Sequence, residues 1–435
     1  MKFGAILYKD TINVGDDIQT FAAMRLLPRV DCLLDRERLD AFEPADGKPV
    51  AVPMCGWYMH RKWHWPPSRF IVPLLTSVHY DAKRDGARPA SPVATEFLSG
   101  CGADWLKAWG PVGCRDLHTL ELFRKMGIDS FFSGCVTLTL PRMERRDPGR
   151  EYICACDLPA KVLAKLRETV AGRCEIVETT HRRAAPVGDR PWPEREREVV
   201  ELLALYQNAK CVVTRRLHCA LPCLAMGVPV FLTNGNENPD AGRYAPYYDW
   251  IRNCTWKRFL AGDFAGYDFL SPPPNGTRHV PVREALLSSF AAFVGERRDE
   301  DGPPERYDRA GLDEGELVRW RHDAMSRCMD AWHAESEASH REMGALRRLP
   351  ARVSGLESAR DELEREAKHW RRLFSSPTVR WAIGLRNLLL PKRKRLLSYA
   401  EARAKRIRRL KRKALAAARA LAAREGRPAE SGLTP

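Results

Sequence analysis

The sequence predicts an α/β protein, because short apolar strands alternate along it with amphipathic helices. One series of strands and helices begins with the strand at residues 3–8. A second series begins after a charged, turn-rich segment at residues 141–150, a composition typical of a domain boundary. We therefore expect two Rossmann-like domains facing each other across a cleft, residues 1–145 and residues 146–295.

The first series is read from apolar runs and from the residues that end them. Its predicted strands are residues 3–8, 50–59, 70–80 and 128–140. Its predicted helices are residues 18–27, which end before Pro28, and a segment that begins at Arg115-Asp116 and stops at Gly127.

The second series follows the same order. It runs through the strand EYICACDL, the helix VLAKLRETVA, the strand CEIVETT, the helix EREVVELLALYQNA and the strand KCVVT. A turn, Arg216-Leu217-His218, then opens an Ala/Leu-rich helix that Gly227 ends, and VPVFL starts a new strand.

The Arg216-Leu217-His218 turn is the most informative segment. Pro222 requires its helix to begin close to Leu217 or His218, because proline fits only the first turn of a helix. Both polar side chains then lie at a helix N-terminus beyond the carboxyl end of a strand, where α/β sheets bind ligands and helix N–H groups favour anions. An imidazole beside a guanidinium suits acid/base chemistry on a phosphate or carboxylate ester. Alternatively, His218 caps the helix and Arg216 pairs with a surface acid.

A second candidate ligand edge is the loop NVGDD, which opens a helix at the end of the first strand. Asn13 and Asp16 fit either a ligand site or a turn, since both residue types form turns readily. Asp17 lies closer to the helix body, where capping is an alternative role.

Charge is distributed very unevenly along the chain. The formal net charge is +16, yet the segment from Arg341 onward holds 26 Lys+Arg and 9 Asp+Glu, a net +17. The body is therefore close to neutral, which argues against a nucleic-acid enzyme with a basic cleft. We expect no nucleic-acid partner.

Cysteine usage and hydropathy indicate a cytoplasmic protein. The thirteen cysteines contain no CxxC pair, so we expect reduced thiols and no zinc site. The apolar run of the N-terminus is too short for a signal peptide, and no segment has membrane-spanning length.

The C-terminal third has its own pattern. Residues 296–345 are predicted as a linker with helical segments. In residues 346–374 the apolar residues Leu349, Leu356, Leu363 and Trp370 recur every seven positions, which fits a coiled coil joining copies of the chain or a single solvated helix. Residues 375–435 form a basic amphipathic tail suited to an anionic membrane surface, with nucleic-acid binding and a disordered solvated extension as alternatives.

Four segments together resemble the polysaccharide pyruvyl transferase family: NVGDD, residues 110–140, residues 206–232 and Arg243-Tyr244. The resemblance implies a GT-B-like arrangement of the two domains, phosphoenolpyruvate as donor and a saccharide as acceptor. The product would be a pyruvyl ketal bridging two sugar hydroxyls, with phosphate released. The tail resembles those of polysaccharide glycosyltransferases, which implies a peripheral position at the inner face of the membrane.

The resemblance also assigns roles to residues. Arg115, Arg216 and Arg243 would bind phosphoenolpyruvate, which carries a phosphate and a carboxylate. His218 would be the general acid, and Asp16 would orient the acceptor hydroxyl or take its proton. Arginines can carry the phosphate charge, so neither metal nor cofactor is expected.

The acceptor side is assigned to Asn13, Asp17 and Trp57. The tryptophans Trp57, Trp63 and Trp65 fit a sugar-stacking platform or a core wedge. His79 matches the closest subgroup, although a histidine at a strand end is more often structural. Arg115 could instead pair on the surface with Asp116 or Glu121.

Two other functions remain open from the sequence. The runner-up is a GT-B glycosyltransferase that uses a nucleotide sugar. The third is a nucleic-acid-binding protein that depends on the basic tail.

Overall fold

The computed structural model describes most of the chain up to residue 330. The described residues are 1–58, 65–80, 96, 98–142, 149–234, 241–298, 315–316, 318–327, 329–330 and 365. Met1–Trp332 is one compact unit. The predicted coiled coil at 346–374 and the basic tail at 375–435 lie outside the described residues, apart from Arg365.

The strands and helices alternate as the sequence predicts. The strands are β1 (Lys2–Leu7), β2 (Cys32–Asp35), β3 (Val50–Pro53), β4 (Gly56–Tyr58), β5 (Ile71–Leu74), β6 (Val78–Tyr80), β7 (Val112–Cys114), β8 (Ser130–Phe132), β9 (Tyr152–Cys156), β10 (Glu175–Thr179), β11 (Cys211–Thr214), β12 (Val230–Asn234) and β13 (Arg252–Thr255). The helices are α1 (Val14–Met24), α2 (Gly100–Trp109), α3 (Leu117–Lys125), α4 (Ala160–Val170), α5 (Trp192–Asn208), α6 (Leu217–Met226), α7 (Ala241–Tyr244), α8 (Trp256–Leu260) and α9 (Val280–Arg298).

These strands form parallel sheets in the order β2-β1-β3-β5, β4-β6-β7-β8 and β10-β9-β11-β12-β13. The prediction of a mixed α/β chain with parallel sheets is therefore confirmed. In two of the sheets the strand order reverses direction between two neighbouring central strands. These pairs are β1 and β3 in one sheet, and β9 and β11 in the other. Such switch points open a crevice at the carboxyl ends of the strands.

Three predicted strands are broken in the structure. Residues 50–59 divide into β3 and β4, and residues 70–80 divide into β5 and β6, so that each second half joins another sheet. Ser77, with a φ of 54°, turns the chain at the second of these breaks. The predicted strand at 128–140 ends at β8, because Gly134 has a φ of 69° and a 3-10 helix, Val136–Thr139, follows.

Two helices are buried almost throughout. Every residue of α6 is buried, which agrees with its nearly continuous apolar sequence. The helix begins at Leu217, as predicted, but the proline argument for this start was wrong. Pro222 lies in the second turn, where it offers no N–H to the carbonyl of His218. Helix α1 begins earlier than predicted, because the Asn13 side chain caps it, and Asp16 and Asp17 lie in its first turn.

A buried ion pair ties α1 to α5. Asp17 is fully buried, and its carboxylate accepts hydrogen bonds from Arg195, which is 1% exposed. Arg183 also donates to Asp17, at 2.6 Å. Arg195 donates further to the carbonyl of Tyr8 at 3.1 Å, so the guanidinium links α5 to the end of β1 as well.

No helix of the described residues is long and apolar enough to cross a membrane.

Replacing Arg195 with Ala should lower the free energy of unfolding by about 3–5 kcal/mol, because it strips a buried carboxylate of its main partner. Urea denaturation of the full chain measures this change. Arg167→Ala is the control, since Arg167 and Glu178 form an ion pair with both side chains about half exposed, and it should cost at most about 1 kcal/mol. Equal losses in the two variants would contradict a special role for the buried pair.

Candidate functional site

A small cavity, partly open to solvent, lies at the N-terminal end of α6. Its lining residues come from both halves of the chain and are Arg115, Cys135, Leu217, His218, Leu221, Arg243 and Tyr247. The cavity suits an anion by charge, since two arginines and a histidine line it.

Arg115 is the best-defined cation of the cavity. It follows β7 and is only 3% exposed. Its Nη1 donates to the side chain of Gln19 on α1, and its carbonyl accepts a hydrogen bond from the hydroxyl of Tyr247. Its Nη2 is buried and has no hydrogen-bond partner among the described residues. An unsatisfied buried charged donor is costly, and an anionic ligand would satisfy it.

Arg243 reaches the same cavity from α7. Its guanidinium carbon lies 4.7 Å from the ring centre of Trp57, and that of Arg115 lies 5.9 Å from the same ring. The Trp57 ring, on β4, thus lies close to both guanidinium groups. Trp65 is a core residue, the second of the two roles that the sequence left open for the tryptophans. It is 2% exposed and packs edge-on against Trp105. Trp63 lies outside the described residues.

His218 is the second residue of α6 and is 5% exposed. Burial lowers the pKa of His218 well below 6.5, and the positive charges of Arg115 and Arg243 add to this effect. The imidazole is therefore neutral at neutral pH.

Helix α1 begins directly against His218. A Cβ at Gly15 would lie 2.8 Å from the Cβ of His218 and 3.0 Å from its Nδ1, so only glycine allows this approach. Asn13 accepts a hydrogen bond from the Gly15 amide at 3.1 Å. Asp16 accepts one from the Thr11 hydroxyl at 2.5 Å. The predicted loop therefore lies at the site, with Asn13 and Asp16 also shaping the turn.

Two predicted site residues point elsewhere. Asp17 is fully buried between Arg183 and Arg195, so an incoming ligand cannot reach it. Arg216 is the N-cap residue of α6, and its Nε donates to Asp157 at 2.7 Å, outside the residues that line the cavity. The same Asp157 oxygen accepts from the His181 amide at 3.1 Å, so Arg216 holds the loop beside α6.

Sequence reasoning missed Gln19, Tyr247 and His181. Gln19 lies three residues after Asp16 on α1, and a polar residue at this helical spacing was the available signal. Tyr247 lies just beyond the predicted Arg243-Tyr244 pair. His181, from a loop read only as basic and Pro-rich, is 1% exposed, and its Nε2 lies 2.7 Å from the Tyr206 hydroxyl.

Cys156, His181 and Cys219 form the cluster of described residues best placed to hold a metal ion, with donor atoms within 4.8 Å of one another. The Tyr206 hydroxyl donates to the sulfur of Cys156 at 3.4 Å. A hydrogen bond with Cys219 raises the pKa of the Cys156 thiol, and burial raises it further. Both effects favour the protonated thiol, which binds metals poorly.

Residues 91–236 match the family model of polysaccharide pyruvyl transferase. The resemblance predicted from the motifs is therefore confirmed for this segment, which includes Arg115, Arg216 and His218. The match supports a transferase of polysaccharide synthesis. No curated protein matches the chain significantly.

Two solved structures show weak similarity. One is a functionally uncharacterised protein of Klebsiella pneumoniae, with 12% identity, a TM-score of 0.33 and coverage of 58% of this chain and 92% of the other. The second is the UDP-GlcNAc 2-epimerase of Methanocaldococcus jannaschii, with 11% identity, a TM-score of 0.30 and coverage of 71% and 97%. At these TM-scores neither similarity supports a conclusion about this chain.

The neutral state of His218 should make stability depend on pH. The unfolded chain takes up a proton near pH 6.5, whereas folded His218 does not, so the free energy of unfolding should fall as the pH drops below 6.5. The slope for one such histidine approaches about 1.4 kcal/mol per pH unit. Urea denaturation between pH 7.5 and 5 measures it.

His218→Gln should remove this contribution. Burial also lowers the pKa of His279, so His279→Gln is a matched control that should remove a separate contribution of the same sign. A His218→Gln profile identical to wild type would show that folding does not lower the pKa of His218.

Proposed function

We propose that the chain transfers the enolpyruvyl group of phosphoenolpyruvate to a saccharide diol and so forms a pyruvyl ketal in cell-surface polysaccharide synthesis. The observation that carries the proposal is the cavity in which Arg115 and Arg243 flank His218. The match of residues 91–236 to the family supports it. In this proposal the two strand–helix series act as GT-B-like halves, with the donor bound at α6.

The donor suits the cavity by charge. Phosphoenolpyruvate carries a phosphate and a carboxylate on three carbons, and arginines bind both groups through charge-assisted hydrogen bonds. In the proposal Arg115 Nη2 and the guanidinium of Arg243 bind these anions. The N–H groups at the start of α6 contribute further positive potential.

The chemistry requires a proton at the methylene carbon C3. When the donor anions bind beside His218, they raise the pKa that burial and the arginines had lowered, and the imidazole becomes protonated. His218 then protonates C3, and C2 develops positive charge that an acceptor hydroxyl oxygen attacks. The second hydroxyl replaces the phosphate, which leaves with the electron pair of its bond to C2.

Other residues have supporting roles in the proposal. Asn13 and Asp16 orient the acceptor hydroxyls, and Trp57 borders the acceptor beside the guanidinium of Arg243. Asp17 is left out of the acceptor site because it is buried in an ion pair. Arg216 positions the start of α6 through Asp157 and does not contact the donor. The arginines carry the phosphate charge, so the proposal uses no metal or cofactor.

Arg115→Ala should weaken phosphoenolpyruvate binding by about 1.5–3 kcal/mol, or about 10- to 150-fold, because it removes a charged donor. Calorimetry measures the affinity. Arg124→Ala is the control, since Arg124 lies on α3 and its Nη2 donates to the carbonyl of Ser130 at 3.4 Å. Unchanged affinity in Arg115→Ala would remove Arg115 from the donor site.

Phosphate release tests the reaction itself. The full chain is incubated with phosphoenolpyruvate and a panel of 4-nitrophenyl hexopyranosides that have free 4- and 6-hydroxyls. Acceptor-dependent phosphate release with a product heavier by a pyruvyl group is expected. If the chain binds UDP-sugars and releases UDP instead, it is a glycosyltransferase. Preferred binding of RNA through the tail would support the third function.

The tail is proposed to adsorb on anionic membranes, which would place the enzyme at the inner membrane surface beside its acceptor. Replacing Trp381 and Leu388–Leu390 with Ser in the full chain should weaken binding to phosphatidylserine-containing vesicles even at low salt, because these side chains would enter the interface. Salt should weaken wild-type binding, since charges are screened within about 10 Å at 0.1 M. Vesicle co-sedimentation measures both effects, and unchanged binding of the Ser variant would contradict insertion.

A further inference from the structure

A second buried histidine lies beside the cavity. His79, on β6, is 6% exposed, and its Nδ1 lies 2.5 Å from Oδ2 of Asp116. Asp116 directly follows Arg115 in the chain, so the carboxylate is anchored next to the best-defined cation of the cavity. The rings of His79 and Trp57 meet edge-to-face, with centres 4.3 Å apart. His79 therefore borders the side of the site assigned to the acceptor.

The second oxygen of Asp116 has a fixed partner. It accepts a hydrogen bond from the amide of Thr119 at 2.9 Å and so caps α3. Burial raises the pKa of Asp116, but His79, the Thr119 amide and Arg115 together lower it by more. The pKa of Asp116 therefore lies well below its usual value. Asp116 is thus an ionised acceptor, and it holds the His79 proton on Nδ1.

This tautomer leaves a lone pair on Nε2. Among the described residues, Nε2 of His79 has no hydrogen-bond partner. An imidazole whose Nδ1–H is bonded to a buried carboxylate is a base at Nε2, because the carboxylate stabilises the imidazolium that forms.

The proposed reaction needs a second group of this kind. Two acceptor hydroxyls lose protons, while one proton is added to C3 and one leaves with phosphate. His218 can supply the proton to C3 but cannot take the hydroxyl proton in the same step. Both oxygens of Asp16 already accept hydrogen bonds, from Thr11 and Asn13.

We propose that His79, positioned by Asp116, is the catalytic base that takes the proton of the first attacking hydroxyl. This inference rests on the proposed function. As the O–H bond breaks, its electron pair forms the bond from oxygen to C2, the proton goes to Nε2 of His79, and the π electrons of C2=C3 take the proton of His218.

The second step restores both histidines. The neutral His218 takes the proton of the second hydroxyl as its oxygen bonds to C2. The bond between C2 and the phosphate oxygen breaks, and the phosphate takes its electron pair and the proton of protonated His79. After one turnover His79 is neutral and His218 is protonated, as at the start.

The test uses two full-length variants, His79→Gln and Asp116→Asn. In Asp116→Asn the remaining oxygen can still cap α3, while the amide donates to Nδ1 and moves the proton of His79 to Nε2. Phosphate release from phosphoenolpyruvate and the hexopyranoside that wild type accepts gives kcat. Calorimetry with phosphoenolpyruvate gives Kd and the fraction of intact sites, to which kcat is normalised.

We expect kcat per intact site to fall at least about 100-fold in both variants, with the Kd of phosphoenolpyruvate within about threefold of wild type. His279→Gln, which removes another buried histidine, should keep its kcat. Wild-type kcat per intact site in either variant would overturn the inference. If wild type releases no phosphate with any acceptor, the proposed function itself fails.

Discussion

The burial of Asp17 between Arg195 and Arg183 is the interaction on which the rest of the site depends. It fixes α1 against α5, although the two helices are far apart in sequence. With α1 held there, Gly15 lies against His218, and Gln19 reaches the guanidinium of Arg115. Asp17, which the sequence analysis assigned to the acceptor side, therefore has a structural role: it fixes the helix that packs against the residues lining the cavity.

The electrostatics of the cavity follow from this packing. Two guanidinium groups and a histidine are brought together where little water can screen them. The pKa of His218 is lowered as a result, and one nitrogen of Arg115 has no hydrogen-bond partner among the described residues. An anionic ligand would reverse both effects. His79, whose ring meets Trp57 edge-to-face, instead has a carboxylate, Asp116, as its neighbour at Nδ1. The two histidines therefore have different neighbours, arginines for His218 and an aspartate for His79.

Much of the fold could be predicted from local pattern. The alternation of strands and helices and the helix beginnings near Leu217 and Asp116 follow from the spacing of apolar residues and from the polar residues that precede them. Two of the errors occurred where the chain changes sheets, at the β3/β4 and β5/β6 breaks. An apolar run gives the same signal whether it stays in one sheet or crosses to another, because both halves are buried.

For the site, the sequence by itself determined which residue types stand at the carboxyl ends of strands: Arg115, His218 and the NVGDD loop. Only the tertiary structure decided their partners. It turned Arg216 towards Asp157, buried Asp17 in an ion pair, and brought Gln19 and Tyr247 onto Arg115. The physical reason is that local sequence sets backbone conformation, whereas the burial and the partners of a side chain depend on residues that here lie 59 to 178 positions away.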